Sequence, residues 1–297
     1  MSRFRFMGDI ILTTPVVTAL KAHFPDAEID YLAEPPYIEL LRHHPDIAKL
    51  IPFERARYGK LPWWKSAVVQ LSLIKKLRRS KYDLAIDLLG IPRSAWFLRF
   101  TKAPIRVGGC FRYRSHLYTH CFTPEQGWKT AVDFHFLALC KLGIESAPAP
   151  PRLFLTEAEK ETAQKYLRKK GINLSKKIVG IHPGATWPAK IWPAGRFAEL
   201  ANLIVSRLNA DVLITYGPGD RAIVEKMKVK LHSRVILAGL LPLRRLLAVL
   251  AALNVYISND CGPMHLAPAV STPTIGIFGP GEPDIWFPYS EEDGHRL

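Results

Sequence analysis

The chain is a regular alternation of short apolar runs, turn residues and amphipathic stretches, repeated almost from end to end. That alternation predicts parallel sheets covered by helices on both faces, because a parallel strand pair needs a crossover between its members. In the first half, residues 13–24 read as a helix ending at Pro25, and residues 29–33, 82–88 and 105–108 read as strands. Residues 63–79 form a long amphipathic helix whose basic end suits the negative pole of the helix dipole. In the second half, strands at 177–182, 211–216, 235–237, 254–258 and 274–278 alternate with helices at 193–208, 221–231, 242–253 and 262–270. Thr156 and Glu159 form a capping-box pair that opens one more helix ahead of them.

The pattern breaks once, at Glu145-Ser146-Ala147-Pro148-Ala149-Pro150-Pro151-Arg152. Proline-rich sequence favours extended backbone and suits a linker. A chain of 297 residues is within reach of two domains, which this linker sets at 1–147 and 148–297.

Composition narrows the class. The hydrophobic fraction of 48% and charged fraction of 23% are ordinary for a soluble protein with two cores. No uninterrupted apolar run approaches the roughly 20 residues of a membrane-spanning helix. The start, Met1-Ser2-Arg3-Phe4-Arg5-Phe6, is basic but lacks the apolar stretch of a signal peptide. Cys110, Cys121, Cys140 and Cys261 contain no CxxC pair and read as reduced cytosolic thiols. The net charge is +15, and from Arg55 to Arg114 fifteen Lys or Arg face only two acids, Asp83 and Asp87. Such a surface concentrates anionic partners: nucleic acid, lipid headgroups or phosphorylated glycolipids. A solvated face without a specific ligand is an equal reading of the same charge.

In open parallel sheets, ligands bind beyond the carboxyl ends of the strands. Three loops of the second half carry suitable chemistry. Ser258-Asn259-Asp260-Cys261-Gly262-Pro263-Met264-His265 ends a strand and opens a helix. Free N–H groups at Gly262 suit a phosphate, and His265 on the same turn can donate to it. The alternative is that Asp260 only caps the helix and His265 only packs. The loop from His182 to Pro193 offers Thr186 and Lys190 to a diphosphate, with no Walker A spacing. In Tyr216-Gly217-Pro218-Gly219-Asp220-Arg221, Asp220 suits a ribose hydroxyl or a helix N-cap. In the first half, Asp9 follows the stub of a first strand. It reads as a general base or, by itself, more simply as another N-cap.

Together these stretches resemble the bacterial heptosyltransferases, glycosyltransferase family 9. The resemblance rests on Met7-Gly8-Asp9-Ile10-Ile11-Leu12-Thr13-Thr14-Pro15, Tyr82-Asp83-Leu84-Ala85-Ile86-Asp87 and His182-Pro183-Gly184-Ala185. It continues through Lys190-Ile191-Trp192-Pro193 with Arg196-Phe197, then Gly217-Pro218-Gly219-Asp220 and Asn259-Asp260-Cys261-Gly262-Pro263-Met264-His265. It covers nearly the whole chain in order.

The resemblance implies a GT-B fold, with two Rossmann-like domains facing across a cleft. It implies inverting, metal-independent transfer of heptose from ADP-heptose to the lipopolysaccharide inner core. Asp9 is then the catalytic base. Thr186, Lys190, Asp220, Asp260, Gly262 and His265 bind the donor, and no cofactor beyond this co-substrate is implied. The partners implied are a nucleotide sugar and an anionic glycolipid acceptor, the lipid A-Kdo core. The protein is then cytoplasmic and touches the inner membrane peripherally, and no nucleic acid is expected.

Two features depart from the family. Arg3 and Arg5 interrupt what is normally an apolar first strand, and a terminal helix expected after Phe278-Gly279-Pro280 is missing. Both ends read as short, so an incomplete sequence is expected. The remaining alternatives are a family member with another nucleotide sugar or acceptor, a non-catalytic binding relative, and a nucleic-acid binder without a known reading module. A dehydrogenase is disfavoured because GxGxxG does not follow the first strand.

Overall fold

The computed structural model describes residues 1–54, 59–111, 115–123 and 127–297. Arg55, Arg57, Arg112 and Arg114 of the basic stretch lie outside the described residues. The chain divides into two compact units, Met1–Ala149 and Pro150–Leu297.

In the first unit, β1 (Asp30–Ala33) pairs in parallel with β2 (Lys49–Pro52). A second parallel run joins β3 (Leu84–Asp87), β4 (Ile105–Gly109) and β5 (His120–Phe122). Residues 1–4 stitch the two runs into one sheet. On one side Ser2 N–H donates to the Ile86 carbonyl at 2.9 Å, and Leu88 N–H donates to Ser2 at 3.0 Å. On the other, Leu32 N–H donates to Met1 at 2.9 Å and Arg3 N–H to Leu32 at 3.2 Å.

The period of two explains the Arg-Phe alternation at the start. Phe4 points into the core and packs 4.5 Å from Phe53 and 6.0 Å from Phe97, ring centre to ring centre. Arg3 points to the opposite face, where Asp9 lies.

The expected helix from residue 13 begins earlier. Helix α1 (Met7–Leu12) is followed at Thr13 by α2 (Thr14–His23). Pro15 separates them because it has no N–H for the preceding turn. The Thr14 hydroxyl donates to the Ile11 carbonyl at 2.8 Å, and the Thr13 hydroxyl donates to Ile10 at 2.7 Å. Helix α3 (Trp63–Arg79) follows the expected bounds and packs beside α4 (Pro92–Thr101), while α5 (Ala131–Cys140) packs on α1 and α2.

One expectation is corrected here. Cys110 and Cys121 are joined in a disulfide, with Cα atoms 5.4 Å apart, whereas Cys140 and Cys261 are free. The pairing of β4 with β5 sets the two side chains against each other, which their spacing in the sequence does not announce.

The second unit is one five-stranded parallel sheet, ordered β10-β9-β6-β7-β8. Its strands are β6 (Ile178–His182), β7 (Asp211–Ile214), β8 (Val235–Leu237), β9 (Val255–Asn259) and β10 (Thr274–Ile277). The helices are α6 (Glu157–Lys169), α7 (Ala194–Leu208), α8 (Arg221–Lys228), α9 (Leu243–Leu250), α10 (Gly262–Leu266) and α11 (Pro283–Trp286). Phe197, Ala201 and Val205 of α7 pack on Ile181, Val212 and Ile214 of the sheet. The Thr156–Glu159 capping box is formed, and Glu159 also accepts from Arg244 Nε at 2.8 Å, tying α6 to α9. Helix α10 is shorter than expected: it ends at Leu266, and a single tighter turn covers Pro268–Val270.

His135 on α5 is buried, and its Nδ1 has no hydrogen-bond partner among the described residues. Burial, reinforced by the nearby Arg3 cation, holds its pKa well below the usual 6.5. The unfolded chain therefore binds a proton that the folded state refuses as pH falls below 6.5, and folding stability falls with it. His135→Leu is predicted to reduce this acid loss. Urea unfolding at about pH 7.5 and about pH 5.5 measures the difference, and an unchanged slope would assign the titration to another group.

Candidate functional site

In the second sheet, strand order reverses between β6 and β9, which are neighbours although distant in sequence. The loops that follow these two strands meet at the carboxyl edge, where open parallel sheets bind their ligands. Lys190 comes from the first loop and Asp260 from the second, and they form an ion pair there. The lysine is 25% exposed and the aspartate 7%, so the pair sits at the mouth, with its cation on the solvent side. Asp260 is also fixed by its backbone, whose N–H donates to the Ile277 carbonyl at 3.0 Å.

Asn259 assembles this corner, a role that its motif in the sequence does not announce. Fully buried, it donates from Nδ2 to the Pro183 carbonyl at 2.8 Å and accepts from Trp192 N–H at 3.2 Å. One side chain thus pins both ends of the loop that carries Lys190. Its place at the end of β9, beside Asp260, was the available signal. Thr186 lies exposed on the same loop and makes no hydrogen bond among the described residues.

Asp220 is held by a separate network at the end of β7. It accepts from the Gly217 N–H at 2.7 Å, and its Oδ2 lies 3.5 Å from Nε2 of buried His182. His182 Nδ1 is 3.2 Å from the Thr215 hydroxyl, which in turn meets the Tyr256 hydroxyl at 2.9 Å. Burial keeps the His182 pKa below its usual 6.5, with Asp220 opposing. The carboxylate rests on Gly184, where an added Cβ would stand 2.1 Å from the Asp220 Cγ. Gly184 therefore keeps a side chain out of the space that Asp220 occupies.

Gly262 opens α10, a helix of only five residues. So short a helix sums few peptide dipoles, and the main positive charge of the crevice is that of Lys190. His265 is buried, and its Nδ1 is 2.9 Å from the Tyr289 hydroxyl, so the ring is fixed from a segment well down the chain. Burial pushes the Cys261 thiol up to about 12, with the adjacent Ser258 hydroxyl opposing the shift.

In the first unit, Asp9 sits in the first turn of α1 without capping it. Its carboxylate pairs with Arg3 at 2.9 Å, and both side chains are largely buried. Arg3 also donates to the Leu88 carbonyl at 2.6 Å, so the arginine anchors Asp9 to the end of β3. The neighbouring Asp87 is saturated instead. It accepts from Leu89 N–H, Gly90 N–H, Ser94 Oγ and the Tyr118 hydroxyl at 2.6–3.2 Å. Such a carboxylate organises its loop and has little capacity left for a ligand. A cavity of about 1180 Å³ lies at the opposite edge of this sheet, lined by Asp30, Lys49, Asp83 and Ile105, away from Asp9 and from the carboxyl ends of the strands.

Known proteins share this fold. The sequence profile of glycosyltransferase family 9 (heptosyltransferase) matches residues 70–296. Lipopolysaccharide heptosyltransferase 3 of Escherichia coli K12 is 30% identical over 300 residues, covering 97% of this chain and 84% of its own. A family 9 glycosyltransferase from Veillonella parvula superposes with a TM-score of 0.88 at 25% identity, over 100% of this chain and 84% of its own. The E. coli heptosyltransferase WaaC, solved with ADP-2-deoxy-2-fluoro heptose, superposes at 0.78 with 20% identity, over 100% and 91%.

The packing at Asp220 gives a direct test. Gly184→Ala is predicted to displace the carboxylate and to cost about 1–3 kcal/mol of stability by overpacking. Thermal unfolding measures the cost, and an unperturbed melting temperature would show that the loop absorbs the methyl group.

Proposed function

The chain belongs to glycosyltransferase family 9, the heptosyltransferases, and on that premise we propose that it moves heptose from ADP-heptose to the inner core of lipopolysaccharide. It is a glycosyltransferase with the GT-B fold. The observation that carries the finer reading is the Lys190–Asp260 pair at the switch point of the second sheet, with a fixed Asp220 at the end of the neighbouring strand.

The donor diphosphate takes Lys190 as its counter-ion, in place of part of the pairing with Asp260. Gly262 N–H and His265 complete the anion contacts, with Thr186 available from the loop. Asp220 accepts from the ribose hydroxyls. A solved protein of the same fold holds an ADP-heptose analogue, which supports this class of donor.

Asp9, aimed by Arg3, accepts the proton of the attacking acceptor hydroxyl. The new C–O bond forms on the face opposite the leaving group, the bond from the anomeric carbon to phosphate breaks, and ADP departs. A single displacement of this kind inverts the centre, by the logic of inverting glycosidases. The Lys190 ammonium stabilises the charge growing on the leaving diphosphate, so the scheme requires neither metal nor cofactor. The acceptor is an anionic glycolipid, lipid A carrying Kdo, met by a cytoplasmic enzyme at the inner membrane surface. Nucleic acid has no part in it. Among the described residues no helix is long and apolar enough to cross a membrane.

The deciding experiment offers ADP-heptose with a set of heptose-deficient core acceptors and follows mass by spectrometry. A gain of one heptose on one acceptor is expected, and no gain on any would remove this donor–acceptor assignment. Asp9→Ala is predicted to lower turnover by about a hundredfold or more while ADP affinity changes little. Lys190→Ala is predicted to weaken ADP binding by about tenfold or more, as read by titration calorimetry.

A further inference from the structure

Helix α3 has two apolar faces, and only one of them is used by the core. Val69, Leu73, Ile74 and Leu77 pack against Phe4, Phe53 and Phe97. On the outside, Trp63 is 83% exposed, Trp64 52%, Val68 61% and Leu71 62%. Trp64 and Val68 are four residues apart and Trp63 and Leu71 eight, so they share one stripe of the helix. The same stripe continues through Lys75 and Arg79, turning from apolar to basic toward the carboxyl end.

The neighbouring helix α4 adds to this surface. Trp96 and Phe100 are half-exposed and stacked with ring centres 5.5 Å apart, and Arg93 and Arg99 flank them. Acidic charge is almost absent. Residues 55–114 hold two acids: Asp87 is fully buried, and only Asp83 reaches solvent.

We infer that the outer faces of α3 and α4 are a docking surface for the interface of an anionic phospholipid bilayer. Tryptophan seats at the headgroup level, Val68 and Leu71 enter the acyl boundary, and the lysines and arginines pair with headgroup phosphates. Exposed aliphatic side chains gain nothing from a nucleic acid, whose backbone calls for cations and whose bases call for aromatic rings. A two-fold contact between copies would bring the same cations face to face. The inference rests on the reading of a lipid-linked acceptor for its purpose, but its test needs neither donor nor acceptor.

The test is co-sedimentation of the full chain with phosphatidylethanolamine vesicles containing about one third phosphatidylglycerol, against phosphatidylcholine vesicles. Binding to the anionic vesicles, weakened by salt, is expected. The combined variant Trp63→Ser, Trp64→Ser, Val68→Ser, Leu71→Ser is predicted to lower the partition by about tenfold or more, even at low salt. Lys75→Glu with Lys76→Glu is predicted to lower it by about fivefold or more through charge alone. Circular dichroism and ADP titration, unchanged in both variants, confirm that the fold and the second unit are intact. Equal partition of the wild type and the apolar variant would overturn the inference. So would a shift in oligomeric state as the sole effect of that variant in sedimentation velocity, or binding of a DNA fragment in place of vesicles. A chain that binds vesicles but transfers no heptose would leave the docking surface standing and remove only the transfer reading.

Discussion

Parallel strand pairing is the constraint from which the rest of this architecture follows. A parallel strand cannot return through a hairpin, so each connection carries the chain back to the same end of the sheet, in most cases through a helix on its face. The carboxyl ends of all strands in a sheet then share one edge, and the loops that leave them gather there. In the second sheet this gathering places Lys190 and Asp260, seventy residues apart, within contact at the point where strand order reverses. In the first sheet, residues 1–4 occupy the corresponding middle position, and Asp9 lies in the first turn of the helix that comes next.

The four aspartates at these edges show how partners divide one residue type among tasks. Asp87 accepts four hydrogen bonds and holds a loop. Asp260 meets a cation and lies at the mouth of the crevice. Asp220 is set by a backbone N–H and a buried histidine, with a glycine keeping its space clear. Asp9 is aimed by an arginine that also grips the adjacent strand end. Distinct partners rather than distinct side chains separate structural carboxylates from those suited to a ligand or a proton.

Charge is distributed with equal economy. The excess of cations lies in the stretch that builds α3 and α4, whereas the acidic groups that pair with cations at the crevice and at Asp9 are each matched singly. Helix α3 packs an aliphatic face against the phenylalanine core and leaves a tryptophan-bearing face in solvent. A helix apolar on both sides has two neighbours to satisfy, and among the described residues the phenylalanine core is one of them.

The sequence by itself determined the alternating α/β plan, most element bounds and the family, because hydrophobic period, capping residues and strand-end loops are local properties. It also identified Lys190, Asp220, Asp260 and Asp9 as chemically suited residues in loops or near strand ends. Only the tertiary structure decided their company. That Arg3 pairs with Asp9, that Asn259 pins the Lys190 loop, that His265 meets Tyr289, and that Cys110 bonds Cys121 all depend on which strands lie side by side. Strand order is set by burial summed over the whole sheet, and no window of sequence contains that sum. The early start of α1 was hidden for a related reason. Asp9 reads locally as the N-cap of a helix that starts near Thr13, yet residues 1–4 are locked between two strands, and the chain that leaves them is helical from Met7.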